Sequence, residues 1–198
     1  VKDLYAYHID NRNGPSERIS RIAERIRSRN NVRVREANFK RFDEELALLK
    51  RIHDAAWEHN WGNVPFTAAE NAQLGSELKL IARKEGALFL EDNGVPVGVA
   101  IAVPDINQVL AKFDGRLFPT GIFHLLRQRK IINRMRLVML GVLPEYRNRG
   151  YDLLLINDLM HKVAKIGVVE GECGWTLEDN HAINNAIEAA GGTKYKTY

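Results

Sequence analysis

The spacing of apolar and polar positions changes several times along the chain, and each change marks an element. Residues 4–8 alternate enough for a short strand. Turn residues follow from Asp10 to Gly14, and Pro15-Ser16 opens a helix to about Asn30, with Ile19, Ile22 and Ile26 at helical spacing. Val32–Glu36 alternates again, as a half-buried strand should. Residues 42–59 carry an apolar stripe of Phe42, Leu46, Leu49, Ile52 and Ala56. Thr67 with Glu70 forms a capping box for a helix to about Arg83. Residues 87–90 and 95–103 are short apolar runs joined by Glu91-Asp92-Asn93-Gly94, which reads as a hairpin. A short helix over 104–113 and a longer one over 120–132 come next. Residues 137–143 are continuously apolar, the pattern of a strand covered on both faces. A helix over 152–166, a strand over 168–176, a helix over 180–190 and a strand over 194–198 complete the order. These elements predict one α/β domain with a mixed sheet.

Composition narrows the class. The chain has 198 residues, 45% hydrophobic and 27% charged, which are ordinary globular values. No apolar run approaches the roughly 20 residues of a membrane helix. A lone cysteine, Cys173, gives no disulfide framework and suits a cytoplasmic setting. The six histidines are scattered singly, so no metal site is expected. Residues 1–36 hold nine basic and five acidic side chains, the whole of the net charge of +4. Arg18, Arg21, Arg25, Arg27 and Arg29 interleave with the isoleucines of the first helix, which reads as a solvated basic face. Nucleic acid is not an expected partner, since no aromatics or binding motif accompany that charge.

The chemistry concentrates at Arg147-Asn148-Arg149-Gly150-Tyr151-Asp152. A buried strand ends at Pro144, the chain turns, and a helix begins. At such a helix start the first backbone N–H groups lack internal partners and face outward, with the positive end of the helix dipole behind them. Gly150 permits a left-handed turn and close approach of a ligand, and Arg147 and Arg149 add positive charge. The junction suits a pyrophosphate.

This stretch resembles the coenzyme A signature of the GNAT acyltransferases, in which a strand and a proline precede [Arg/Gln]-x-x-Gly-x-[Gly/Ala] at a helix start. Arg147 and Gly150 match; Asp152 stands where a small residue is usual. The resemblance spans roughly residues 32–198 and implies a GNAT-like acyl-CoA N-acyltransferase fold with an extra N-terminal strand and helix at 1–31. It implies acetyl-CoA or another acyl-CoA as co-substrate, a small-molecule or peptide amine as acceptor, and direct attack of that amine. Leu140, Gly141, Val142 and Leu143 would hold the pantetheine arm, with Gly141 placed for a bulge. Arg147, Asn148, Arg149, Gly150, Tyr151 and Asp152 would hold the phosphates. Asn180 matches a second marker, an Asn at the start of the last helix. The tyrosine expected seven residues later, usually the general acid, is Ile187, and Gly192 replaces a phenylalanine. Tyr151, Tyr195 or water are candidate substitutes; Glu172, Glu178 and His59 are candidate bases, and none is singled out as catalytic. A non-catalytic acyl-CoA-binding or regulatory module of the same fold is the alternative.

The acceptor side is expected in the loop between the two long helices, where Trp61 and Phe66 could wall a pocket and Asn60 orient a polar group, with residues 117–119 as a second wall. Residues 1–7 loosely echo residues 193–198. One expectation is therefore that the N-terminal strand closes a preceding domain of the same kind. Association with a second copy is the other arrangement considered.

Overall fold

A computed structural model describes residues 1–58, 60–64, 66–112 and 131–198. The helix expected over 120–132 and the wall at 117–119 fall largely or wholly outside the described residues, as does His59. In chain order the elements are β1 (Leu4–Asp10), α1 (Glu17–Arg29), β2 (Val32–Glu36), α2 (Phe42–Trp57), α3 (Ala68–Ile81), β3 (Ala87–Asp92), β4 (Val95–Pro104), the single turn α4 (Asn107–Leu110), β5 (Arg134–Val142), α5 (Tyr151–Ala164), β6 (Glu170–Leu177), α6 (His181–Ala189) and β7 (Thr193–Thr197).

The strands form one sheet in the order β2-β3-β4-β5-β6-β1-β7. All neighbours are antiparallel except β5 and β6, which are parallel. This is the mixed sheet that the alternation of strand and helix patterns predicts. The continuous apolar run in β4 is buried at every position from Val97 to Ala102. Both α2 and α5 pack on β4, so its two faces are covered by helices. Fully buried Leu88, Phe89, Leu90, Val97, Val99, Leu154 and Leu155 make the centre of this core.

Two features depart from the sequence pattern. β1 lies between β6 and β7 and pairs with both. The boundary expected after residue 31 thus divides strands that share hydrogen bonds in one sheet. α1 also docks on α5: Ile19, Ala23 and Ile26 are buried, Ser20 Oγ donates to Asn157 Oδ1 at 3.2 Å, and Arg27 pairs with Asp158. The second departure is in β5, which starts three residues earlier than the apolar run because Arg134 and Arg136 alternate with buried Met135 and Leu137. Those arginines reach Glu170 (2.6 Å) and Glu172 (3.8 Å) on the neighbouring strand. Opposite charges across adjacent strands help fix that register.

Candidate functional site

The parallel ladder between β5 and β6 is short. It runs from Arg134↔Glu170 to Leu137↔Cys173 and stops, although β5 continues to Val142 and β6 to Leu177. A bulge marks the point of divergence. On the other edge of β5, Ile101 pairs with Met139 and Ala102 with Leu137, so Val138 is the extra residue. Bulges bend a strand and raise its local twist, and here the bend falls directly after the last parallel pair. Gly141, expected as the bulge, is required for another reason. A Cβ there would come within 2.6 Å of Trp57 Cη2 and 3.3 Å of Ala56 Cβ, because the indole of α2 reaches the strand at this point.

The divergence opens a cleft of about 660 Å³. Its floor is the β5 edge from Leu137 to Val142, which from Val138 onward has no strand partner on the β6 side. Backbone groups on such an edge must pair with something else, and an extended amide-bearing arm meets that need. Cys173 to Leu177 form the facing wall, and Asn180, Ile183 and Ile187 of α6 extend it. Trp57, Asn60, Trp61 and Asn63 close one side, and Arg147, Asn148, Tyr151 and Asp152 close one end. Of the expected arm-binding residues, Leu140, Gly141 and Val142 line this cleft. Leu143 is buried beside it, its N–H donating to Val97 O at 2.8 Å.

The turn at the closed end has the expected backbone. Gly150 is left-handed (φ +75°) and stands directly before α5. Asn148 is left-handed as well (φ +62°). Among the described residues, the N–H groups of residues 148–151 have no backbone acceptor, so they remain available to an anion. Gly150 also faces α1: a Cβ there would stand 2.9 Å from Ile26 Cδ1. The N-terminal helix therefore supports the turn from behind.

The side chains of the turn are engaged in ways the motif does not reveal. Arg147 donates from Nη2 to Ala56 O (2.6 Å) and from Nε to Val142 O (3.4 Å), tying the turn to α2 and β5. Arg149 reaches Asp92 (3.3 Å) and Glu145 O (3.3 Å) and lies over the Tyr146 ring. Tyr151 Oη donates to buried Asp92 at 2.8 Å; burial, then this bond, holds its pKa above the usual phenol value. Asp152 turns its carboxylate onto its own helix start, where Oδ1 accepts from Leu153 N–H at 2.9 Å. Its pKa is raised by burial, partly offset by that backbone bond.

The remaining candidates separate clearly. Asn180 caps α6, accepting from Ile183 N–H (3.4 Å), and lines the cleft. Asn60 and Trp61 line it too, whereas Phe66 packs on His53 (centroids 5.0 Å apart) and is not part of its wall. Glu172 accepts from Tyr195 Oη at 3.0 Å and lies near Arg136; Glu178 accepts from Asp3 N–H. None of Glu172, Glu178 and Tyr195 lines the cleft. Cys173 does, but it is buried, and burial pushes its thiol up to about 12, which keeps it protonated and poorly nucleophilic. Ile187 is 1% exposed and fills the space beside Gly192, where a Cβ would come within 2.5 Å of Ile187 Cγ2. The two departures from the family pattern are one packing unit.

Sequence reasoning passed over Trp57, Trp175 and Asn184. Trp57 stacks on His53 (4.8 Å, 15°) and forms a cleft wall. Asn184 is buried and bonds Thr176 Oγ1 (2.6 Å) and the carbonyls of Leu177 (2.9 Å) and Glu178 (3.3 Å), fixing α6 against the end of β6. A polar residue on the inner face of an amphipathic helix was the available signal.

The overall arrangement of strands and helices is shared with known proteins. A GCN5-related N-acetyltransferase from Sphaerobacter thermophilus superposes with a TM-score of 0.66 at 16% identity, over 100% of this chain and 50% of that one. The chain has the GNAT fold. An aminoglycoside N-acetyltransferase, AAC(6')-Iy, in complex with CoA superposes with a TM-score of 0.56 at 17% identity, over 83% of this chain and 90% of that one. By sequence, the chain is 33% identical over 189 residues to Protein YghO of Escherichia coli, covering 92% of the chain and 48% of that protein. It is 32% identical over 207 residues to the bacterial ceramide synthase of Caulobacter vibrioides, covering 100% of the chain and 53% of that protein. The chain thus spans about half the length of these relatives. No protein-family model matches it. Among the described residues, no helix is long and apolar enough to cross a membrane.

Proposed function

We propose that this domain is an acyl-CoA-dependent N-acyltransferase and that its acceptor is the amine of a long-chain amino alcohol. The observation that carries the reading is the cleft. It offers an unpaired β5 edge for the pantetheine amides, a left-handed glycine turn with free N–H groups at one end, and walls elsewhere in which Trp57, Trp61, Val138, Trp175 and Ile187 outweigh a few amide side chains. CoA supplies the acyl group as a thioester. Leu140 to Val142 would hold the arm through their backbone, and Asn148 to Tyr151 would receive the phosphates through their N–H groups. The neighbour crystallised with CoA supports this donor.

The acceptor class follows from two separate supports. Ceramide is the amide of a fatty acid with a long-chain amino alcohol, and a relative carries the name ceramide synthase. The cleft rim is also unusually apolar: Trp61 is 61% exposed, Val138 48% and Trp175 59%, and all three line the opening. Exposed aromatics around a cavity suit an alkyl chain. Transfer proceeds by direct attack of a neutral amine on the thioester carbonyl, since Cys173 is protonated and buried.

The test is thiol release with acyl-CoAs of increasing chain length, against long-chain amino alcohols and short amines, with the amide identified by mass spectrometry. Release and amide with the long-chain acceptors are expected. Binding of acyl-CoA without release for any amine would favour a non-catalytic binding module, which the replacement of the usual tyrosine by Ile187 would permit. Absence of binding at millimolar CoA would refute both.

A further inference from the structure

We infer that Asp152 is a specificity-determining residue that weakens the phosphate end of the donor site, so that recognition of the donor shifts to the rest of the molecule. This inference rests on the acyl-CoA reading above. Among the described residues that line the cleft, Asp152 is the only carboxylate. It is placed in the first turn of α5, on the N–H groups that the helix start offers to an anion, and already accepts one of them from Leu153 (2.9 Å). The charges that would offset it are directed elsewhere. Arg147 is shared between the carbonyls of Ala56 and Val142, and Arg149 is paired with Asp92 and lies over the Tyr146 ring. A diphosphate entering this turn meets a half-buried carboxylate in a partly desolvated site, where like charges repel more strongly than in water.

The physical consequence is a redistribution of affinity. In a site whose phosphate end binds weakly, free CoA and short acyl-CoAs hold poorly, and an acyl chain must add the missing contacts. Discrimination between donors is a difference of affinities, and lowering the term common to all of them leaves the variable term to decide occupancy. The apolar cleft wall is where that term arises. Weak holding of free CoA also favours its release after transfer.

Asp152→Asn keeps a side chain able to accept from Leu153 N–H while removing the charge, and Asp152→Gly supplies the small residue of the family pattern. Calorimetric titration of the wild-type protein and both variants with CoA and with pantetheine, the same arm without phosphates, separates the effects. CoA affinity is expected to rise about tenfold or more in both variants, with pantetheine affinity constant within about twofold. The CoA gain should shrink in roughly 1 M salt, where charge interactions are screened. Equal CoA affinity across the three proteins would overturn the inference while leaving the acyl-CoA reading intact. A parallel change for pantetheine would also overturn it, since that marks an altered cleft rather than a charge effect. No CoA binding by any of the three would refute the acyl-CoA reading, and the inference with it.

Discussion

The fit of Trp57 against Gly141 sets the shape of the cleft, and a methyl group at position 141 tests it. Its Cβ would be 2.6 Å from Trp57 Cη2, closer still to Cζ3, and 3.3 Å from Ala56 Cβ. Carbon atoms in contact prefer about 3.5–4.0 Å, so the indole must retreat by roughly 1 Å or more. It cannot do so freely, because it is stacked on His53 at 4.8 Å and His53 is itself packed against Phe66. Overpacking of this kind costs about 1–3 kcal/mol, and weakening a stacked ring pair adds about 0.5–1.5 kcal/mol. Gly141→Ala should therefore lose about 2–3 kcal/mol, a fall in Tm of roughly 4–12 °C for a domain of this size. Trp57→Phe removes the outer ring that collides, at its own cost of about 1–2 kcal/mol. Gly141→Ala on the Trp57→Phe background should then cost little, giving a coupling of about 2 kcal/mol in a double-mutant cycle from urea unfolding. Additive single effects would refute the argument, since they would mean that Gly141 is fixed by something other than the indole.

Three further outcomes follow. Asp92→Ala should cost about 1–3 kcal/mol in urea unfolding, because it leaves the Tyr151 hydroxyl buried without its acceptor, and Tyr151→Phe should recover part of that loss. Cys173→Ala should retain acyl transfer within a few fold, and the native thiol should react with thiol reagents only as fast as the domain opens; loss of transfer to background would refute direct attack. Arg134 holds the Glu170 carboxyl below its ordinary value of 4.5. A carboxyl lowered by folding stabilises above its ordinary value and loses that contribution as pH falls below about 4.5 toward the lowered value. Glu170→Gln should therefore flatten the fall of the urea midpoint between pH 5 and 3, and an unchanged slope would count against the pairing.

Local signals carried the sequence reading well where the chemistry is local. The left-handed glycine before α5, the Thr67–Glu70 capping box and the hairpin after β3 depend on residues a few positions apart. Pairing partners are not encoded that way. Nothing in Leu4–Asp10 states that it inserts between β6 and β7, because alternation marks a strand but not its neighbours. The β5 bulge was expected at Gly141 on residue type, whereas it falls at Val138 because the register with β4 slips there. Arg147 and Arg149 were read from the motif as free charges. Their partners, Ala56 O and Asp92, come from elements 91 and 57 residues away and are invisible in a local window. Trp57 went unmarked for a related reason: at the end of an apolar stripe an indole reads as core, and only the opening of the sheet makes it a wall.

The proton inventory of the cleft constrains any transfer performed there. Attack by an amine creates an adduct that must lose one proton, and the departing thiolate gains one. Of the side chains on the wall, Tyr151 directs its hydroxyl to Asp92, and Cys173 keeps its proton through burial. The position where the family places an acidic tyrosine is occupied by Ile187, whose bulk is matched by the missing side chain of Gly192. Reinstating a tyrosine would therefore require repacking α6, not a single exchange. A thiolate is a tolerable leaving group without an acid, and alignment of two bound reactants can lower the barrier substantially by itself. Under the proposed activity, the domain relies chiefly on holding an amine and a thioester together along the β5 edge. Apolar walls would suit that task, since under this reading they would align two long chains side by side and exclude competing water.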